Sequence, residues 1–197
     1  MKFSVSALAF FAAVGSSAVV PRAANSTSTS SACHSVHTGY LTVFPGDQPS
    51  QHIAVGLNTQ NQVTYRVEAD QKFLVEFQAC PNLPDQAPNI DMYNGRIIKS
   101  GTTDCLTVSN PSAPEDGPFF LELAACQSDT EPPASQQWEY GNDFGAVVFW
   151  KGASEKDEVG WTDDDQSNPV VEQGTNRIEL GCANSCSSFN ITPEDQL

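Results

Sequence analysis

The sequence is poor in basic residues. Nine of its 197 residues are Lys or Arg, against 24 Asp or Glu, which gives a formal net charge of -15. Such a surface repels phosphate backbones and anionic headgroups, so nucleic acid and membrane surfaces are not expected partners. Helical periodicity is almost absent, and no apolar run after the first segment is long enough to span a bilayer. These absences favour an all-β protein without membrane insertion.

The usual signatures of catalysis are also missing. The chain has no His-Glu-x-x-His motif, no Gly-x-Ser-x-Gly elbow, no phosphate loop and no dinucleotide fingerprint. The three histidines, His34, His37 and His52, do not form a metal-binding motif. We therefore expect a protein that is not an enzyme and that needs no metal and no cofactor.

The first residues have the pattern of a secretory signal. Lys2 precedes an apolar run that is too short to span a bilayer, and small residues follow it. We expect a signal peptide over residues 1–18 and a flexible, Ser/Thr-rich lead-in over residues 19–32. The mature protein is therefore predicted to be secreted to the extracellular space.

In a secreted protein, cysteines can form disulfide bonds and asparagines in sequons can be glycosylated. An even number of cysteines in an oxidising compartment predicts disulfide bonds, here three. The six are Cys33, Cys80, Cys105, Cys126, Cys182 and Cys186. Asn25 and Asn190 each begin an N-glycosylation sequon, and Pro193 weakens the second.

Short β-rich runs alternate with turn-rich stretches, which is typical of a sandwich or a barrel. An apolar-Glu-apolar segment recurs, followed each time by a cysteine; its copies are Val75–Phe77, Leu121–Leu123 and Ile178–Leu180. We interpret this as three repeats, because one unit cannot bury its own apolar face whereas three can close around a common core. The predicted repeats span about 39–94, 95–144 and 145–192, within a domain over 33–192.

The second repeat carries the most informative pattern. It contains Gly95-Arg96-Ile97, then Cys105-Leu106, Cys126 and finally Gln136-Gln137-Trp138. This order and spacing, over most of residues 95–141, resembles one repeat of the ricin B-type lectin family. The resemblance implies a single β-trefoil, with six strands in a barrel and six in hairpins that cap one end. The other two repeats match only weakly, because both lack the Gln-x-Trp motif.

The resemblance also implies roles for individual residues. Cys105 and Cys126 resemble the disulfide bond that the family forms within a repeat. Trp138 is expected in the core, and Gln136 is expected to bond backbone groups or to face a ligand, with the first role favoured. The remaining pairs are predicted as Cys33–Cys80 and Cys182–Cys186. The alternative joins Cys33 to Cys186, because the two ends of a trefoil lie close together.

No repeat keeps the galactose-type pocket of that family. In the second repeat its Asp, aromatic and Asn positions fall on Thr107, Ala124 and Ser135, and only Glu122 holds a polar place. A displaced site is suggested by Trp161 beside the acidic run that begins at Asp163, since an aromatic face and carboxylates suit a sugar. The other interpretation places Trp161 in a strand and the acids on a solvated turn.

The sequence therefore predicts a secreted, non-enzymatic, carbohydrate-binding protein. Its expected partners are glycans or glycoproteins, and its candidate binding residues are Glu122, Gln136, Trp161 and Asp163. One alternative is a trefoil whose sugar sites have decayed and whose loops bind a protein, as a protease inhibitor or an effector. Another is a structural or storage protein. The fold alone does not choose between them.

Overall fold

A computed structural model describes residues 32–46, 51–68, 71–84, 86–111, 118–142, 145–151, 159–181 and 186–197. This part of the chain is all-β. Its strands are β1 (His34–Val43), β2 (Ile53–Ala54), β3 (Gly56–Leu57), β4 (Val63–Thr64), β5 (Leu74–Ala79), β6 (Met92–Lys99), β7 (Asp104–Val108), β8 (Leu121–Ala125), β9 (Trp138–Gly141), β10 (Val147–Trp150), β11 (Trp161–Thr162), β12 (Cys186–Ser187) and β13 (Phe189–Thr192). Short 3-10 turns cover Pro88–Ile90, Ala134–Gln136 and Glu194–Gln196.

Six of these strands close into a barrel. The order around it is β1, β13, β10, β9, β6 and β5, and β5 pairs with β1 to complete the ring. Every pairing in the ring is antiparallel. A closed ring leaves no unpaired sheet edge among these strands, which satisfies the backbone hydrogen bonds of the barrel.

Alternation of side chains along the barrel strands builds the core. In β5, Val75, Phe77 and Ala79 are buried, while the residues between them are partly accessible. The same period of two places Trp138 and Tyr140 of β9 inside. Complete burial of one such apolar side chain contributes about 1.5–3 kcal/mol, so this lining is the main source of stability.

Paired strands outside the ring contact one another. β7 and β8 form a five-residue antiparallel ladder, and β3 pairs with β4. Isolated bridges connect three segments outside the ring: the β3–β4 pair, the segment that contains Phe119 and β8, and the segment 177–180. The bridges are Gln62 to Glu122, Thr64 to Arg177, and Phe119 to Leu180, so each segment is bridged to the two others.

The recurring apolar-Glu-apolar segments do not occupy equivalent places. Val75–Phe77 lies in β5, a strand of the barrel. Leu121–Leu123 lies in β8, outside the ring and paired with β7, and Ile178–Leu180 makes only isolated bridges. The three copies therefore do not mark three equivalent structural units.

Two of the predicted disulfide bonds are confirmed. Cys33 is bonded to Cys80 and Cys105 to Cys126. The first bond rules out the alternative pairing of Cys33 with Cys186. The predicted Cys182–Cys186 bond involves Cys182, which lies outside the described residues, as do the signal segment, the lead-in up to residue 31 and Asn25.

One glycine of the barrel is required by a close backbone approach. A Cβ on Gly95 in β6 would lie 1.9 Å from the carbonyl oxygen of Gln78 in the neighbouring strand β5. Real side chains do not approach a backbone oxygen so closely, so any larger residue must push the two strands apart. The position therefore fixes how tightly β5 and β6 pack.

We expect Gly95→Ala to destabilise the protein by about 1–3 kcal/mol, as overpacking of a well-packed interior does. Gly141→Ala is the matched control, since a Cβ there meets only Val147 Cγ2 at 3.6 Å. Urea unfolding of the two variants beside the wild type measures the difference. Equal midpoints for both variants would show that the β5–β6 spacing adjusts without cost.

Candidate functional site

Gln136 has a structural role. Its side chain is fully buried; its amide donates to Thr107 Oγ1 and to the Ala125 carbonyl, and its carbonyl oxygen accepts from the Gln127 N–H. These bonds hold the turn before β9 against β7 and β8, as the favoured interpretation expected. The side chain is therefore not available to a sugar. Glu122 is half-buried in β8, opposite Thr107, and does not line the cavity described below.

Trp161 belongs to the interior and not to an exposed stacking surface. Its side chain is fully buried, and its indole N–H donates to the Ser188 carbonyl at 2.8 Å. In β11 it pairs with Ser187 of β12. The prediction that this ring stacks on a sugar conflicts with its burial, because the packed core covers it. Trp161 nevertheless contributes to the wall of a surface cavity.

That cavity has a volume of about 440 Å³ and lies between the end of β1 and the strands near the C-terminus. We call it the His52 cavity. Its lining residues are Phe44, His52, Val147, Trp161, Ser187, Ser188 and Asn190. The volume falls in the range of small-molecule sites, and the lining mixes aromatic rings with hydroxyl and amide groups.

His52 is held by two threonines. Its Nδ1 lies 3.3 Å from Thr192 Oγ1 and 3.5 Å from Thr42 Oγ1, and the two hydroxyls are 2.7 Å apart. Burial lowers the pKa of His52, which favours the neutral form of the ring. Nε2 makes no hydrogen bond within the described residues, which leaves one polar ring atom for a ligand.

Phe44 provides the exposed aromatic surface that Trp161 does not. It is 42% exposed, and its ring centroid lies 5.2 Å from that of His52 in a tilted arrangement. Large apolar side chains with this exposure are few in the described part of the chain. An accessible ring that is braced by a neighbour can stack on a flat apolar face without losing much conformational freedom.

Asp163 reaches the same cavity through Ser187. The Ser187 hydroxyl, which lines the cavity, donates to Asp163 Oδ2 at 3.3 Å. The Asp163 carboxylate is therefore hydrogen-bonded to a lining residue but does not itself line the cavity. The Ser188 hydroxyl makes no hydrogen bond to the described residues, although the Ser188 carbonyl accepts from Trp161. The structure thus brings Trp161 and Asp163 to one place and leaves Glu122 and Gln136 elsewhere.

The next carboxylate, Asp164, organises a turn. Its Oδ1 accepts the backbone N–H groups of Asn168 and Gln166, and these bonds lower the pKa of Asp164. Asp164 therefore has a local structural role, as the second interpretation expected for this acid. In the described parts of the chain, no three His, Cys, Asp or Glu side chains are grouped to hold a metal ion.

Asn190 is the second predicted glycosylation site, and the fold leaves it little room. It is 6% exposed in β13, and its Nδ2 donates to the Gly145 carbonyl at 2.9 Å. A glycan would be attached to that same nitrogen. The hydrogen bond of the amide fastens the turn before β10 to β13.

Phe44, His52 and Ser188 were not singled out as binding residues from the sequence. Phe44 and His52 are eight positions apart, whereas Ser188 lies more than a hundred positions further along the chain, and the pairing of β1 with β13 brings these regions together. Within the described residues no helix is long and apolar enough to cross a membrane.

Comparisons with protein-family models, curated proteins and solved structures found no match to this chain.

Proposed function

We propose that this protein is a secreted, non-enzymatic, carbohydrate-binding β-trefoil of the ricin B-type lectin class. The six-strand ring and the three mutually bridged segments outside it support the trefoil, because that fold places three hairpins over one end of a six-strand barrel. The disulfide bond between Cys105 and Cys126, with Trp138 in the core, also agrees with the family pattern. The two disulfide bonds fit an oxidising, extracellular setting.

The observation that carries the proposed activity is the His52 cavity. Phe44 would stack on the apolar face of a sugar ring, while His52 Nε2 and the Ser188 hydroxyl would bond its hydroxyl groups. Asp163 would act through Ser187, which it orients, and would not touch the sugar directly. Since the site is small and surface-borne, binding at one site would be weak.

Phe44→Ala tests the site. We expect glycan binding to fall about tenfold, because the aromatic face supplies most of the apolar contact. Ile90→Ala is the matched control, since Ile90 is 46% exposed and does not line the cavity. The measurement is a glycan array of the oxidised protein, followed by titration of the best neutral hit. Equal binding by the wild type and Phe44→Ala would move the site away from this cavity.

A protein partner is the second candidate, and one loop favours it. The Gln86 side chain donates to the carbonyls of Cys80, Leu83 and Asn94, so it braces the loop that follows β5. Pro81, Asn82 and Pro84 of this loop are exposed. A pre-ordered exposed loop loses little entropy on binding, as a protease inhibitor requires. Absence of any array signal together with saturable inhibition of a protease would support this function.

A further inference from the structure

A second concave site lies on another part of the surface. It has a volume of about 540 Å³ and is formed by the β3–β4 turn, the segment before β5 and the turn after β6. We call it the lysine cleft. Its polar lining includes Asn58, Asn61, Gln71, Lys72, Lys99 and Ser100.

Two lysines line this cleft, and strand pairing places both of them there. Lys99 ends β6 and is opposite Val75 of β5, and Lys72 precedes that residue by three positions. The Ser100 N–H donates to the Leu74 carbonyl, which fixes the turn after Lys99 against the segment that carries Lys72. The two side chains are therefore placed on one cleft by the backbone.

Neither lysine has an acidic partner in the described part of the chain. By contrast, Arg96 pairs with Asp129, Lys151 with Glu139, and Arg177 with Glu172. Of the described residues that line the cleft, none is Asp or Glu. In a chain of net charge -15, the described lining of this cleft carries two cations and no carboxylate, which favours an anionic ligand there.

The charge of the whole molecule restricts the ligand. A long polyanion would meet repulsion from the rest of the surface within the Debye length of about 10 Å at 0.1 M salt. A compact ligand with a single anionic group would feel mainly the two lysines. Amide and hydroxyl groups beside them suit a polyol, and Leu74, which is 41% exposed at the cleft, can contact the apolar edge of a ring.

We infer that the lysine cleft binds a small monoanionic sugar, with its carboxylate between Lys72 and Lys99. The sugar part of this ligand rests on the proposed function, whereas the anionic part rests on the cleft alone. The site is separate from the His52 cavity, with which it shares no lining residue.

Titration followed by NMR tests this inference. The probes are methyl glucuronide, the neutral methyl glucoside and acetate. We expect the glucuronide to bind about tenfold more tightly than either other probe, and its binding to weaken as NaCl is raised from about 0.05 M to about 0.5 M. Equal affinity for glucuronide and glucoside would overturn the inference, as would equal affinity for glucuronide and acetate.

Variants assign the site. Lys72→Gln and Lys99→Gln should each weaken glucuronide binding about tenfold, since each removes one charge-assisted hydrogen bond. Lys151→Gln, which removes a lysine already paired with Glu139, should leave it unchanged. Thermal melting checks that all three variants are folded. Unchanged binding in the Lys72→Gln/Lys99→Gln double variant would place the anion elsewhere and overturn the assignment.

A failure here is distinguishable from a failure of the proposed function. Phe44→Ala should weaken neutral glycan binding about tenfold and keep glucuronide binding, because Phe44 is not part of the lysine cleft. Glucuronide binding that is lost together with neutral glycan binding in Phe44→Ala would show a single site at the His52 cavity, and the lysine cleft would then be refuted.

Discussion

Trp138→Ala is expected to lower the free energy of unfolding by about 3–5 kcal/mol, the range for removing a large ring from a packed core. Trp138 is fully buried in β9, between Gly95 of β6 and Trp150 of β10. Its indole N–H donates to the Leu106 carbonyl at 3.2 Å and so connects the barrel to β7. The loss is a large share of the ~5–15 kcal/mol that stabilises a typical domain.

Equilibrium urea unfolding of the oxidised protein measures this loss. Trp138→Phe is the control, since it keeps an aromatic ring but removes the donor; we expect it to cost about 1–3 kcal/mol. The order wild type, Phe, Ala in stability would show that stability falls with each loss of ring atoms, the first of which also removes the indole N–H donor. A fully stable Trp138→Ala variant that no longer binds glycan would instead make the ring a contact residue and contradict its place in the core.

Much of this core could be predicted because its signals are local. Runs of β-branched and aromatic residues between turns predict strands, and the Gln136-Gln137-Trp138 motif indicates one buried amide and one buried ring. Both side chains are fully buried and hydrogen-bonded in the structure. Of the two confirmed disulfide bonds, Cys105–Cys126 follows the family pattern, whereas the sequence left the partner of Cys33 open between Cys80 and Cys186.

These local signals could not predict whether a strand belongs to the barrel or lies outside it. A Glu between two apolar residues shows only that one face of a strand is buried, which holds for a barrel strand and for a strand outside the barrel alike. Val75–Phe77 and Leu121–Leu123 therefore look equivalent in sequence, although they lie in β5 and β8. What distinguishes them is their long-range pairing partners.

The candidate site was predictable only in part for a related reason. Trp161 and Asp163 are close in sequence, and both were assigned to one site. Whether Trp161 offers its face to solvent depends on the core behind it, including Ile178 and Leu180, which are fully buried. Phe44, the exposed ring of the cavity, joins it from the other end of the chain through the β1–β13 pairing.

Removing the Cys33–Cys80 bond is the second change with a large expected effect. The two residues are 47 positions apart, and the bond fastens the start of β1 to the end of β5. On the loop-entropy model, closing a loop of this length stabilises the folded state by about 4 kcal/mol, since it restricts the unfolded chain. The Cys105–Cys126 bond spans 21 positions, for which the same model gives about 3 kcal/mol.

We therefore expect Cys33→Ala/Cys80→Ala to be less stable than Cys105→Ala/Cys126→Ala, and both to be less stable than the wild type. Urea unfolding measures the order, and its slope shows whether the unfolded chain has expanded, as loss of a cross-link requires. Melting of the wild type in reductant is the control for packing lost with the sulfur atoms, because reduction keeps both cysteines. Melting that does not change in reductant, with both bonds shown to be reduced, would contradict the stabilising role of the two bonds. A reversed order would show that the length of the closed loop does not determine the effect, and that contacts of each bond in the folded barrel do.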